Sequence, residues 1–112
     1  MCNRKQAVEL LKKVYEKALP IFKCIDSAYL YGSYARGDYN NESDVDILLI
    51  VDLSTEVSAE NRMALAAVSS ELSLEYGVTV SVTVKPKIQF NLYFSVLPFY
   101  QNVLREGIKY AG

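Results

Sequence analysis

Two aspartates, Asp44 and Asp46, stand two positions apart at the start of the apolar run 44–51, which is typical of a central strand. Residues two apart in a strand point to the same face, roughly 6–7 Å from each other. At an effective dielectric constant near 20, two carboxylates at that distance repel by about 2–3 kcal/mol. A divalent cation between them would remove this repulsion, and hard oxygen ligands suit Mg²⁺. The pair predicts a metal site, although Asp44 could instead only cap or solubilise the strand.

A second candidate is the turn Gly32-Ser33-Tyr34-Ala35-Arg36-Gly37, which follows a short aromatic strand. Glycine lets the backbone approach a ligand closely, and the N–H groups at a helix start attract phosphate. Ser33 adds a hydroxyl, and Arg36 adds a guanidinium fork that suits phosphate oxygens. The turn therefore predicts phosphate binding. The alternatives are that Gly32 and Ser33 only begin a helix and that Arg36 is a solvated turn residue.

The remaining pattern predicts the elements that must position these residues. Val78–Val84 alternates with period two, Ser58 is typical of a helix N-cap, and Gly77 is typical of a helix end. The apolar positions of the first helix recur at helical spacing and are Ala7, Leu10, Leu11, Val14, Ala18 and Phe22. Pro98 begins a last helix with Phe99, Val103 and Leu104 inward. The resulting class is α+β, in two layers, with a small mixed sheet and helices packed on one face. The predicted helices are 4–22, 59–75 and 98–107, and the predicted strands are 28–31, 44–51 and 78–84.

Ten residues separate Gly32-Ser33 from Asp44-x-Asp46, and this spacing brings the turn beside the aspartate pair on adjacent strands. The combination resembles the signature of the minimal nucleotidyltransferases, within the DNA polymerase β-like superfamily. The resemblance covers almost the whole chain, including the preceding helix and the segment 98–108, so it implies one such domain over 1–112. It also implies the polymerase β-like fold, ATP or another NTP as substrate, two Mg²⁺ ions, and nucleotidyl transfer with release of pyrophosphate. Many small members resemble antitoxins paired with a HEPN-domain protein, and some of them adenylylate a tyrosine of that partner.

The resemblance also assigns roles to residues. Gly32, Ser33 and, with less weight, Arg36 would bind the nucleotide, while Asp44 and Asp46 would be the catalytic metal ligands. The superfamily usually supplies a third carboxylate from the next strand. Here that strand has no Asp or Glu, and Ser81 stands at the centre of its polar face. Serine is a poor Mg²⁺ ligand and no base at neutral pH.

This departure leaves two functions open. The chain either catalyses transfer with two aspartates, or it is a catalytically idle subunit that binds nucleotide or a partner. Asp38 and Glu42, in the loop before the aspartate pair, and Asp52 are the acidic residues that could compensate for Ser81.

Composition excludes several other classes. Twelve basic and thirteen acidic residues give a net charge of -1, and histidine is absent. A near-neutral chain has no field to attract nucleic acid or an anionic membrane, and every imidazole-dependent mechanism is excluded. No leader pattern and no apolar run of about 20 residues is present. We therefore expect a cytoplasmic protein without direct nucleic-acid or membrane binding, and a homo-oligomer is possible.

Aromatic residues leave two further alternatives open. Tyr34 and Tyr39 flank the Gly-Ser turn and belong either to the core or rim of the domain or to a stack on a nucleotide base. The apolar segment Phe90–Phe99 is either a lid of the core or an exposed docking patch. We favour the core for this segment.

Overall fold

The computed structural model describes residues 2–52 and 57–110. These ranges contain five helices and four strands, and the α+β class is confirmed. The helices are α1 (Arg4–Phe22), α2 (Ser33–Arg36), α3 (Ala59–Tyr76), α4 (Lys87–Tyr93) and α5 (Pro98–Glu106); the strands are β1 (Ile25–Tyr31), β2 (Val45–Val51), β3 (Val80–Pro86) and β4 (Ile108–Tyr110).

The four strands form one mixed sheet in the order β3-β2-β1-β4. β1 pairs antiparallel with β2 and with β4, whereas β2 and β3 are parallel. Because of these directions, the end of β1 meets the starts of β2 and β3. Tyr31, Asp46 and Ser81 mark this place, which we call the site end of the sheet.

One face of the sheet carries the main core beneath α1 and α3. Asn3 caps α1 through a reciprocal capping box with Gln6, and Ser58 caps α3 as expected. Gly77, with φ 65°, ends α3 in the left-handed conformation. The inward face of α1 is confirmed in full. Its buried residues are Ala7, Leu10, Leu11, Val14, Ala18 and Phe22.

The opposite face carries a smaller apolar cluster, in which Tyr100 and Val103 of α5 cover Tyr29, Leu48 and Ile50 of the sheet. The expectation of helices on one face therefore holds for the long helices α1 and α3, and the short C-terminal helices lie on the other face. The predicted inward set of α5 needs correction. Val103 is buried, but Phe99 and Leu104 are exposed, and Tyr100 takes the central place because the sheet lies on that side of the helix.

Several element boundaries also differ from the prediction. β1 begins at Ile25, which pairs with Val51, because the neighbouring strand extends that far. β3 spans Val80–Pro86 rather than 78–84, since its pairing with β2 starts where Val80 meets Val45. The sequence pattern does not predict β4, because a three-residue strand is too short to show a period. This strand forms because its backbone pairs with β1.

The expectation that Phe90–Phe99 is a lid of the core is wrong. α4 has no buried residue, and positions 91–99 are all exposed. The cluster on that face is already filled by Tyr100, Val103 and part of Phe90. Among the described residues, no helix has both the length and the apolar character that a membrane crossing requires.

Candidate active site

Three side chains stand in one row at the site end of the sheet. Asp46 is paired with Tyr31 on β1 and with Ser81 on β3, and the register places all three on the face that α5 partly covers. Asp46 is half-buried, whereas Asp44, just before β2, is exposed. The aspartates thus differ in their surroundings. Asp46 lies within strand β2, and Asp44 lies in the loop that precedes this strand.

Gly32 brings the turn against this row. Its φ of 78° lies in the region that favours glycine, and a Cβ built there would stand 2.5 Å from Asp46 Oδ2. The carboxylate of Asp46 therefore occupies the space that a side chain at position 32 would need. The two motifs separated by ten residues in the sequence are in contact in the structure, as their spacing predicts.

The short helix α2 is fixed from both sides. The amides of Ala35 and Arg36 donate to the Gly32 carbonyl oxygen at 3.1 and 3.0 Å. The Arg4 guanidinium donates to the Ala35 carbonyl oxygen at 3.0 Å, which ties α2 to the start of α1. Ser33 and Arg36 therefore stand on a turn that Tyr34 and Ala35 anchor in the core.

Tyr34 belongs to that core. It is 1% exposed, its ring stacks on Tyr39 at a centroid distance of 4.3 Å, and its hydroxyl donates to the Cys2 carbonyl oxygen. A fully covered ring offers no face to a nucleotide base. Of the two alternatives for Tyr34, the structure selects the core.

A cavity of about 670 Å³ opens where the turn meets α5. The predicted residues Gly32, Ser33, Arg36 and Asp46 line it. Asp44 and Ser81 do not; they line a neighbouring groove of about 550 Å³ between β3 and α3. The residue pattern does not predict the opposite wall of the cavity, which α5 provides. The resemblance of the segment 98–108 to the family is the signal that points to this wall. The missed lining residues are Tyr31, Phe99, Asn102, Val103, Arg105 and Glu106.

The charges around Asp46 are unbalanced. Burial raises the pKa of the Asp46 carboxyl, the nearby Asp44 carboxylate raises it further, and Arg36 partly opposes both effects. Arg36 is itself held by acidic neighbours, with Nε 3.2 Å from Asp38 and Nη1 3.5 Å from Glu106. The site therefore has an excess of negative charge that a cation would offset.

Burial likewise raises the pKa of Tyr31, the nearby Thr83 hydroxyl partly opposes this effect, and the negative charge of Asp46 adds to it. The phenol of Tyr31 is therefore kept protonated next to the carboxylate. Its T-shaped contact with Phe99, at 5.3 Å between ring centroids, joins the sheet to α5 across the cavity.

The residues at Asp46 fit a hard divalent cation in part. Asp44 and Asp46 provide oxygen ligands, and a cation would relieve the repulsion between their carboxylates. The residue paired with Asp46 on β3 is Ser81, which provides no third carboxylate. Asp38 pairs with Arg36, and Asp52 lies beyond the far end of β2 next to Cys24. Within residues 2–52 and 57–110, no cluster of three or more acidic or cysteine side chains has a metal-binding arrangement.

Comparison with known families and proteins gives concordant results. Residues 9–110 match the family model described as nucleotidyltransferase domain. Two relatives from Methanocaldococcus jannaschii, both named as protein adenylyltransferases, are similar in sequence. One is 35% identical over 103 residues, covering 92% of this chain and 89% of the relative. The other is 32% identical over 83 residues, covering 73% and 82%.

Solved structures share the fold. One described as a nucleotidyltransferase from Sulfolobus solfataricus superposes with a TM-score of 0.56 at 26% identity, over 80% of this chain and 75% of that chain. A chain of a toxin–antitoxin complex with AMP-PNP superposes with a TM-score of 0.57 at 18% identity, over 99% and 75%. A chain of a mutant MntA toxin–antitoxin complex gives 0.56 at 17% identity, over 99% and 75%.

Proposed function

The chain belongs to the nucleotidyltransferase domain family, and from this premise we propose that it transfers AMP from ATP to a hydroxyl group of a partner protein in a Mg²⁺-dependent reaction. The observation that carries the proposal is the contact of the Gly32 turn with the Asp46 carboxylate at the wall of a cavity. This contact joins a phosphate-binding turn to a cation-binding carboxylate.

Each residue has a proposed role. The Gly32 backbone and the Ser33 hydroxyl bind phosphate oxygens. The Arg36 guanidinium leaves its ion pair with Glu106 and binds phosphate oxygens instead. Asp44 and Asp46 are the residues that would hold the two expected Mg²⁺ ions. When bound, Mg²⁺ would neutralise phosphate charge and lower the pKa of the acceptor hydroxyl.

The proposed reaction forms a bond between the acceptor oxygen and the α-phosphorus of ATP. The bond from that phosphorus to the bridging oxygen breaks, pyrophosphate leaves, and the hydroxyl proton passes to water. The protein's part is to align the triphosphate between the turn and the carboxylates, so that the acceptor attacks opposite the leaving group.

The proposed partner is a HEPN-domain protein, with this chain as the antitoxin-like component. The names of the Methanocaldococcus relatives support a protein acceptor, and the toxin–antitoxin neighbours support a toxin as the partner. The use of ATP is supported in the same way by the AMP-PNP in one of these complexes.

One observation favours a second function, that of a catalytically idle subunit. Ser81 lies in register with Asp46, so the third carboxylate is missing from the position where it would share a cation with that residue. With one negative ligand fewer, the affinity for a second cation falls. An idle subunit would still bind nucleotide or the partner through the same surfaces.

Calorimetric titration of ATP, with and without Mg²⁺, tests both functions. The proposed enzyme requires Mg²⁺-dependent binding that is lost in Asp44→Asn/Asp46→Asn. The Ser81→Asp variant is the matched test of the missing ligand and should tighten Mg²⁺-dependent ATP binding by roughly tenfold. No binding by the wild-type protein at millimolar ATP would contradict the enzyme and favour an idle subunit that binds only the partner.

A further inference from the structure

The segment 88–104 exposes an apolar surface on α4, the following loop and α5. Large hydrophobic side chains there are between 38% and 67% exposed, although the segment borders a filled cluster. The 88–104 surface consists of Ile88, Leu92, Tyr93, Phe94, Val96, Leu97, Phe99 and Leu104. Monomeric proteins seldom expose so many apolar side chains together, and such patches mark interaction sites.

A chain of aromatic contacts connects this surface to the cavity. Phe94 stacks on Phe90, and Phe90 contacts Tyr100 edge to face, with centroid distances of 5.9 and 5.1 Å. Tyr100 contacts Phe99 at 5.4 Å, and Phe99 contacts Tyr31 at 5.3 Å. Phe99 thus belongs to the surface and to the wall of the cavity at once.

The same surface lacks charge. The segment 88–104 contains no Asp, Glu, Lys or Arg, in a chain whose charged fraction is 22%. Nucleic acid and anionic lipid both require basic residues on the surface that receives them. The partner that complements this surface is therefore an uncharged apolar surface of another protein.

Building on the proposed function, we propose that the 88–104 surface is where the acceptor protein docks, through an apolar, uncharged surface next to the hydroxyl that is modified. The cavity is open and the described chain has no second domain to hold an acceptor. An acceptor protein that reaches the cavity past Phe99 must lie against this surface. A second copy of this chain seated there would cover Phe99 and compete with the acceptor.

Binding of the purified HEPN-domain partner to the full chain, measured by biolayer interferometry, tests this docking surface. Leu92→Glu and Val96→Glu place a charge at positions that are 67% and 65% exposed, so neither disturbs the fold. The matched controls are Met63→Glu and Leu74→Glu, which alter residues on α3 that are 74% and 86% exposed, on the other face of the sheet.

Docking through the 88–104 surface requires each of the first two variants to weaken partner binding by about tenfold or more, with the controls within about twofold of wild type. ATP binding should be equal in all four variants. Unchanged partner binding in Leu92→Glu and Val96→Glu, equal losses in the controls, or no binding by the wild type would overturn the proposal. Self-association of the chain alone that Val96→Glu abolishes would also overturn it, in favour of a second copy.

Transfer of label from α-³²P ATP to the partner separates this inference from the proposed function. Partner binding through the surface without any transfer supports the docking surface and contradicts the enzyme. Transfer that proceeds at the wild-type rate in Leu92→Glu and Val96→Glu supports the enzyme and contradicts the docking surface.

Discussion

The two faces of the sheet are built from the same strands but differ in what covers them. On β2, Ile47 and Leu49 point into the core beneath α1 and α3, whereas Asp46 and Leu48 point to the opposite face. Two helices of 19 and 18 residues cover the first face, and the nine-residue α5 covers part of the second. Because α5 is short, it leaves the site end of the sheet open to solvent, and the carboxylate of Asp46 is only half-buried there. Each face can therefore be disturbed separately.

The largest expected effect is on the open face. Asp46→Asn removes one of two candidate cation ligands, and we expect it to lower nucleotidyl transfer by about 100-fold or more. Transfer of label from α-³²P ATP measures the change. Asp52→Asn, beyond the far end of the same strand, is the matched control and should keep the wild-type rate. Activity retained by Asp46→Asn would mean that this face is not the site.

The next effect compares two buried neighbours on β2. Leu49→Ala empties space in the main core and should reduce the free energy of unfolding by about 3–4 kcal/mol, while Leu48→Ala in the smaller cluster should cost about 2–3 kcal/mol. Both side chains are fully buried, so the wild-type exposures are matched. Urea denaturation measures both values. A larger loss for Leu48→Ala would show that the short C-terminal helices contribute more stability than their area suggests.

A smaller effect distinguishes two glycines with positive φ. Alanine at either Gly32 (φ 78°) or Gly37 (φ 94°) is strained by about 1–2 kcal/mol. At Gly32 the new Cβ also meets the Asp46 carboxylate, whereas at Gly37 it meets nothing within 4 Å. Gly32→Ala should therefore also weaken ATP binding by roughly tenfold, and Gly37→Ala should not. Equal ATP affinities by calorimetry would contradict the role of the Gly32 contact.

The smallest effect concerns pH. Folding raises the pKa of Asp46, so its contribution to stability is fully present below the unfolded value of 3.8 and is lost as pH rises through the folded value. Near pH 7 the ionised carboxylate therefore destabilises the ligand-free protein. Asp46→Asn should raise the melting temperature there by about one or two degrees, since the group is only half-buried, and the gain should shrink toward pH 4. A gain that is independent of pH would point to packing rather than charge.

Much of this arrangement could be predicted from the sequence. The helical period of α1, the caps at Ser58 and Gly77, and the alternation around Val80–Val84 are local signals that each report on a few neighbouring residues. The spacing from Gly32 to Asp46 also carried enough information to expect their contact, because only one turn and one strand boundary separate them.

The C-terminal part could not be predicted in this way. Apolar residues at helical spacing do not specify which face of a helix meets the sheet. The pattern therefore predicts Phe99 and Leu104 inward, whereas the structure buries Tyr100. The strand Ile108–Tyr110 is too short to show a period. Its pairing with β1 joins residues that lie far apart in the sequence, and a local pattern cannot report such a pairing.

The sequence by itself determined the α+β class, the family resemblance and the types of residue available for chemistry, because short-range periodicity and spacing encode them. Only the tertiary structure decided that α5 forms the second wall of the cavity, that Arg36 pairs with Glu106, and that the apolar segment after α4 faces outward. These features depend on which surface each helix finds when the sheet forms. That outcome is set by long-range packing, which the local pattern of apolar residues does not specify.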